Sequence, residues 1–296
     1  MPRFKTVGLT IKSELSQKDA SVSRVLAALQ QEDINVLIDA KRMKGLQCTR
    51  DLGAMRGKKP AIDLLIVIGG DGTIFRAVRE LGDCDIAILG INRGAIGFLS
   101  EVDFDEVETV LPQLLHGRGT LEERHLLSVE VFRGRKVVFR GRALNEAVIA
   151  QGAIARLLYL QTTVRGEALT TYRADGLIVA TPTGSTAYSL SAGGPIVHPR
   201  LPAIILTPIN PHSFTQKPIV LPGGDTVEVE VLQKENKFVD TEVSLTLDGQ
   251  VYHPLRRFDR IIVKSDPHTV KFLRRKQDTF LRTLRTKLKW GESLLE

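Results

Sequence analysis

The chain has 296 residues, 43% of them hydrophobic and 25% charged, with a formal charge of +7. These are the values of a globular chain with one large or two ordinary domains. Its apolar runs are too short to span a bilayer and no basic-then-apolar leader opens it, so neither membrane insertion nor export is expected.

Cys48 and Cys84 stand alone without ligand spacing, as free thiols do in a reducing cytoplasm, and a cytoplasmic location is expected. Residues 271–296 hold eight basic residues against Asp278, Glu292 and Glu296, a net of +5 that leaves only +2 for the rest. A basic end suits polyanions, but a solvated face on a terminal helix is the simpler reading, and no nucleic-acid partner is expected.

In chain order, Thr6 to Ile11 predicts a strand, and Val22, Val25, Leu26 and Leu29 recur at helical spacing within a helix of roughly Asp19 to Gln31. Ile34 to Ile38 predicts a second strand. Residues 41–60, broken by Gly45, Gly53, Gly57 and Pro60, leave a loop or a short helix open. Leu64 to Ile68 is an apolar run of the kind found in strands covered on both faces. It ends in Gly69-Gly70-Asp71-Gly72-Thr73, with a helix expected from Ile74 to Leu81.

Glycines at the carboxyl end of such a strand let backbone N–H groups approach a phosphate, with a helix N-terminus behind them. Asp71 is out of place in a loop built only for phosphate, because a carboxylate repels one. It makes sense facing a hydroxyl or a metal ion beside the phosphate. Ile86 to Ile91 predicts another strand, leading into Asn92-Arg93-Gly94-Ala95-Ile96-Gly97-Phe98-Leu99, and Val107, Val110, Leu111 and Leu114 mark a helix face. This alternation argues for a parallel, doubly wound α/β sheet, Rossmann-like, over residues 1–118. Neither G-x-G-x-x-G nor a Walker lysine motif occurs.

Beyond Gly119 the strands are short: Leu127 to Phe132, Val137 to Arg140, Ala147 to Ile149, Leu158 to Val164, Leu177 to Ala180, Ile204 to Thr207, Val227 to Leu232 and Leu245 to Leu247. Val227, Val229 and Val231 alternate with Glu228 and Glu230, the pattern of a half-exposed strand. An all-β domain of two packed sheets is expected over residues 119–270. Phe280, Leu281, Leu284 and Leu288 then predict an amphipathic helix, with segment 271–296 folding back on the first domain.

Three further segments stand out. Asn145-Glu146 precedes an apolar run, and by itself reads as a turn or strand end. Tyr172-Arg173-Ala174-Asp175-Gly176 sets opposite charges before a strand, where a surface ion pair is the plain reading. Thr181 to Ile196 packs hydroxyls, glycines and prolines with almost no charge. So many hydroxyls exceed what a turn-rich loop needs, which favours a ligand site.

The Gly69–Thr73 loop, Gly90-Ile91-Asn92-Arg93-Gly94, Asn145-Glu146, Asp175-Gly176 and Thr181 to Ile196 occur in the order and spacing seen in bacterial NAD kinases. The resemblance covers roughly Thr6 to Gly291. The GGDG loop alone is shared with diacylglycerol-type lipid kinases and, more loosely, with phosphofructokinases; the Thr181–Ile196 run is far more specific. The resemblance implies ATP-dependent phosphorylation of the 2′-hydroxyl of the adenosine ribose of NAD, giving NADP.

Asp71 is then the catalytic base, with Gly69, Gly70, Gly72, Thr73 and Arg76 beside the substrates. Asn145 and Glu146 match residues that hold the dinucleotide. Arg173 and Asp175 match further binding positions, Asp175 plausibly serving a neighbouring subunit. Thr186, Ala187, Tyr188, Ser189, Leu190 and Ser191 fall in the segment lining the adenine and nicotinamide ends, and Arg156 and Gln250 match additional contacts. The resemblance also implies Mg2+ or another divalent cation carried with ATP, with no protein metal site, and a homo-oligomer, dimer or tetramer. Some relatives accept inorganic polyphosphate, and no residue here chooses the donor. The alternatives are a lipid or sugar kinase sharing the GGDG loop, or a non-catalytic NAD- or nucleic-acid-binding protein.

Overall fold

The structure, a computed structural model, describes residues 4–32, 34–57, 60–94, 97–152, 157–232, 243–275 and 280–289. The chain forms two compact units, Met1–Glu123 with Val270–Glu296, and Arg124–Thr269.

The first unit contains strands β1 (Thr6–Ile11), β2 (Asn35–Ile38), β3 (Gly53–Ala54), β4 (Leu64–Ile68), β5 (Ala87–Asn92) and β6 (Val102–Asp103), with helices α1 (Lys18–Gln30), α2 (Asp71–Leu81) and α3 (Val107–Gln113). The strands pair in parallel in the order β3-β2-β1-β4-β5, with β6 beside β5. All five residues of β4 are buried, as an apolar run between two covered faces requires. Helix α1 turns Val22, Val25, Leu26 and Leu29 into the core, the residues whose spacing predicts it. From β1 the chain steps outward to β2, whereas from β4 it steps the other way to β5. The strand order therefore reverses between β1 and β4, the place where open α/β sheets bind ligands at their carboxyl ends. The open stretch 41–60 resolves into a short 3-10 turn, Gln47–Thr49, and the two-residue β3.

Strand β7 (Gly119–Arg133) opens a run of antiparallel strands: β8 (Lys136–Ala143), β9 (Glu146–Gln151), β10 (Leu158–Val164), β11 (Glu167–Ala174) and β12 (Gly176–Ala180). Helix α4 (Tyr188–Ser191) follows, then β13 (Ala203–Ile209), β14 (Ile219–Pro222), β15 (Thr226–Leu232), β16 (Val243–Leu247), β17 (Val251–Leu255) and β18 (Asp259–Arg275), and finally helix α5 (Phe280–Leu288). In the second unit, β14-β13-β12-β9-β16-β17 form one sheet. Strands β11-β10-β15-β18 form another, and β8 pairs with β7. Both sheets contribute to one core, in which Val227, Val229, Val231, Leu160 and Ile261 meet Ile149, Leu177, Val179, Leu206 and Leu245. This is the expected two-sheet arrangement, with Glu228 and Glu230 half-exposed between the buried valines.

The C-terminal stretch differs from a purely helical reading. Lys271 to Arg275 are the end of β18, where Phe272 pairs in parallel with Ile88 of β5, and α5 begins only at Phe280. Charged residues along β18 interrupt the apolar alternation that would have announced a strand. No helix among the described residues is long and apolar enough to cross a membrane. Cys48 and Cys84 are half-buried and neither is in a disulfide.

An ion pair between the buried Asp259 and the half-exposed Arg133 closes the turn before β18. Asp259 is fully buried; it accepts both Nε and Nη2 of Arg133 at 2.9 and 2.8 Å, and the Arg256 amide at 2.8 Å. The carboxylate raises the Arg133 pKa through this hydrogen bond. Replacing Asp259 with Ala strands these donors, and is expected to lower unfolding free energy by about 3 kcal/mol, read from urea denaturation midpoints.

Candidate functional site

Strand β4 delivers Gly69 at the reversal of strand order with φ near +150°, where a side chain is disfavoured and a Cβ would lie 2.6 Å from Thr73 Oγ1. Gly70, in extended conformation, caps α2, and Asp71 is the first residue of that helix. The helix thus starts at Asp71 and not at Ile74, so the carboxylate stands in the positive end of the helix dipole and not in mid-loop. Its oxygens accept two remote amides: Phe98 N to Oδ2 at 2.9 Å and Leu99 N to Oδ1 at 3.2 Å. A Cβ at Gly97 would sit 2.1 Å from Asp71 Oδ1, so the close approach needs glycine there. A carboxylate offers about four acceptor positions, which leaves capacity for a hydroxyl donor.

Arg76 is half-buried, not freely solvated. Its Nη2 donates to Ile11 O at 3.2 Å, tying the end of β1 to α2. Burial, then the neighbouring Arg42, lowers its pKa. Gly69, Gly70, Asp71, Gly72, Thr73 and Arg76 therefore form one cluster at the strand reversal.

In the second unit, Asp248 and Gly249 have φ of +50° and +63°, and Gln250 N returns to Leu247 O at 2.9 Å, a tight hairpin turn between β16 and β17. The Asp248 carboxylate accepts the amides of Leu144, Asn145 and Glu146 at 2.8, 2.7 and 3.2 Å. This fixes the start of β9, with Gln250 exposed in the same turn. Glu146 is 6% exposed, and its Oε2 meets no hydrogen-bond partner among the described residues. Burial, and secondarily the Asp248 charge, pushes its pKa up to about 8, so it is mostly protonated at pH 7.

The Thr181–Ile196 run packs against this corner. Thr181 N donates to Asn145 O at 2.8 Å, and Thr181 Oγ1 donates to Leu144 O at 2.6 Å. Gly184 lies so close that a Cβ would be 2.2 Å from Asn145 O. The hydroxyls mainly hold the segment itself. Ser185 donates to Pro182 O, Thr186 to Thr183 O, and the fully buried Ser189 lies 2.8 Å from Thr207 Oγ1. Four of the hydroxyls, Thr181, Ser185, Thr186 and Ser189, thus have hydrogen-bond partners within the fold, a use that the sequence alone does not show. Ser189 faces the interior, while Tyr188 and Ser191 are exposed and Thr186, Ala187 and Leu190 half-exposed.

The residues Arg173 and Asp175 are not brought to this corner. The chain passes from one sheet to the other at Asp175, between β11 and β12, and Asp175 O accepts Gln151 N. Thr181 lies beyond the opposite end of β12, about 20 Å away at the usual rise per residue. The plain ion-pair reading is replaced. The Asp175 carboxylate accepts Asn210 Nδ2 at 3.1 Å, and the Arg173 guanidinium lies over the Tyr159 ring at 5.6 Å. Arg156 lies outside the described residues. Among the described residues no group of three or more His, Cys, Asp or Glu side chains is placed to hold a metal ion.

Residues 10–119 match the ATP-NAD kinase N-terminal domain and residues 144–275 the ATP-NAD kinase C-terminal domain. The chain belongs to the ATP-NAD kinase family. It is 39% identical to the NAD kinase of Solibacter usitatus (strain Ellin6076) over 293 residues, covering 99% of this chain and 100% of that relative. It is 42% identical to that of Geobacter sulfurreducens over 294 residues, covering 98% and 100%. Among solved structures it resembles a yeast NADH kinase complexed with NADH (TM-score 0.87, 27% identity, 99% and 90% covered). It also resembles an NAD kinase from Archaeoglobus fulgidus in complex with ATP (TM-score 0.72, 26% identity, 96% and 98% covered).

Two elements escape a reading of the sequence: in the second unit Asp248, visible only as half of an Asp-Gly turn, and in the first unit the Phe98 and Leu99 amides, which side-chain identities do not reveal. The raised pKa of Glu146 has a measurable consequence. Between about pH 4.5 and 8 the folded chain keeps a proton that the unfolded chain has lost, so this group's contribution to stability falls as pH rises through that window. Glu146→Gln, neutral throughout, is expected to gain stability over the parent progressively from pH 5 to 8 and level off above. The gain should reach a few kcal/mol, on the order of the linkage for such a shift, in urea midpoints taken across that range.

Proposed function

We propose that Asp71 is the base of an NAD kinase that uses ATP to phosphorylate the 2′-hydroxyl of the adenosine ribose of NAD. The observation that carries this reading is a carboxylate oriented by two amides at the N-terminus of a helix, at the strand reversal of a chain in the ATP-NAD kinase family. The ribose oxygen bonds to the γ-phosphorus as the bond from that phosphorus to the β,γ-bridging oxygen breaks. The hydroxyl proton passes to Asp71 and then to solvent, leaving ADP and NADP. In a loose transition state the hydroxyl becomes acidic only as its bond to phosphorus forms, so a carboxylate suffices as acceptor.

Gly69, Gly70, Gly72 and Thr73 would let donor phosphates lie against the N-terminus of α2, with Arg76 nearby. Mg2+ or another divalent ion carried with the triphosphate would neutralise charge on the transferred group. Asn145, Glu146, Gln250 and the accessible Thr186, Ala187, Tyr188, Leu190 and Ser191 are assigned to the dinucleotide. Glu146 offers a buried polar group poised for a ribose or amide partner.

The placement of Arg173 and Asp175 at the far end of β12 supports the homo-oligomer reading, in which they serve the site of a neighbouring copy. The lipid-kinase alternative shares only the loop, whereas the family match extends over residues 144–275.

The test is NADP formation from NAD and Mg-ATP by the parent and by Asp71→Asn. The variant should lose about 10²- to 10⁴-fold in kcat, the usual worth of a positioned base. Asn offers one acceptor where two amides are held, so a stability loss of about 1–3 kcal/mol should accompany it, and activity must be referred to folded protein. NADP formation by the folded variant at the parental rate removes Asp71 from this role. ATP consumption with a lipid acceptor and none with NAD overturns the whole assignment.

A further inference from the structure

The peptide group joining Phe98 to Leu99 has two committed ends. Its N–H donates to Asp71 Oδ1 at 3.2 Å, and its carbonyl accepts Arg274 Nη2 at 3.0 Å. A peptide unit is planar, so fixing the direction of its C=O fixes the direction of its N–H. Arg274 holds a second point of the same loop as well: Nη1 reaches Ser100 O at 3.3 Å and Glu101 Oε2 at 3.0 Å. Glu101 N in turn anchors the loop to β5 through Gly90 O. Arg274 is 7% exposed, and its Nε faces Glu122 at 3.2 Å. A planar fork buried between two carboxylates and two carbonyls has few other orientations available. On the other side of the loop, Lys287 of α5 lies 4.5 Å from the centre of the Phe98 ring.

We infer that Arg274 is a positioning residue for Asp71, acting through the Phe98–Leu99 peptide. The guanidinium sets the carbonyl, the carbonyl sets the amide, and the amide sets which way the carboxylate faces the attacking hydroxyl. The charge on Arg274 also polarises the peptide in the sense that strengthens its N–H as a donor. This inference rests on Asp71 being the base. Lysine at position 274 would keep the charge but lose the fork that holds both carbonyls.

The experiment measures NADP formation from NAD and Mg-ATP by the full chain, for Arg274→Lys alone and in an Asp71→Asn background. Rates are referred to protein competent to bind NAD by calorimetry. Arg274→Lys is expected to lower kcat on the order of 100-fold, the scale of an ångström misplacement of a reacting group, with KM for NAD within about twofold. In the Asp71→Asn background the same change should cost little more, because the group it orients is already gone. A second variant, Arg274→Ala, should recover kcat in millimolar guanidinium and not in ethylamine, since only the planar fork fits the two carbonyls.

Parental kcat in Arg274→Lys overturns the inference. So does a full further loss in the Asp71→Asn background, which would mean that Arg274 acts independently of Asp71. If Asp71→Asn alone keeps parental activity, the assignment of the base fails instead, and the two failures are told apart by that single variant.

Discussion

The first unit's chemistry depends on one close approach: the Asp71 carboxylate pressed against the backbone of residues 97–99. Such contact is repulsive unless amide N–H groups face the oxygens and no Cβ intervenes. Phe98 and Leu99 supply the amides, and Gly97 supplies the space. The parallel sheet makes the meeting possible. Strands β4 and β5 are neighbours in register from Leu64 opposite Ala87 to Ile68 opposite Ile91. The loops that leave their carboxyl ends therefore emerge side by side. A motif on one strand is oriented by backbone that follows another, and neither stretch alone shows it.

The second unit solves a similar problem with the opposite electrostatic result. Asp248 receives three amides from residues 144–146, whereas Glu146 Oε2, buried beside it, meets none among the described residues. Desolvation and the neighbouring charge then favour the protonated form of Glu146. A neutral, under-bonded carboxyl group in the wall of a site is costly in the free chain, and a ligand donor that satisfies it recovers that cost. The same corner is kept in place by Thr181 and by the contact that only glycine permits at 184. The amide anchors and the close glycine contact hold the backbone at 144–146 where the Glu146 side chain is buried.

Much of this was legible in the sequence where the signal was local. Apolar runs gave β1, β4 and β10 to the residue, and helical spacing gave the buried face of α1. The glycine loop stood out because Asp71 misfits a loop built only for phosphate and makes sense facing a hydroxyl or a metal ion. What escaped was non-local. The start of α2 at Asp71 is set by Gly70 as cap, which a run of glycines obscures. Strand β18 carries charges that pair within the fold, so its alternation is masked. The hydroxyls of Thr181, Ser185 and Ser189 look like ligand donors in sequence, but their partners are backbone and Thr207, brought near only by the sheet. Arg274 sits in a basic stretch that reads as a solvated face, yet it is buried between Glu101 and Glu122.

The position of Asp175 shows how a short strand can hold two sequence motifs apart. Strands β9 and β12 are antiparallel, with Glu146 beside Ala180 at one end and Ala150 beside Gly176 at the other. Among the described residues of this unit, Asn145, Glu146 and the start of the Thr181–Ile196 run lie at the first end, and Arg173 and Asp175 at the other. A short strand buried on both faces cannot bend to bring its ends together without breaking the ladder that holds both sheets. Arg173 and Asp175 are therefore held about 20 Å from Asn145 and Glu146 within one chain. The separation itself is imposed by the length of a five-residue strand.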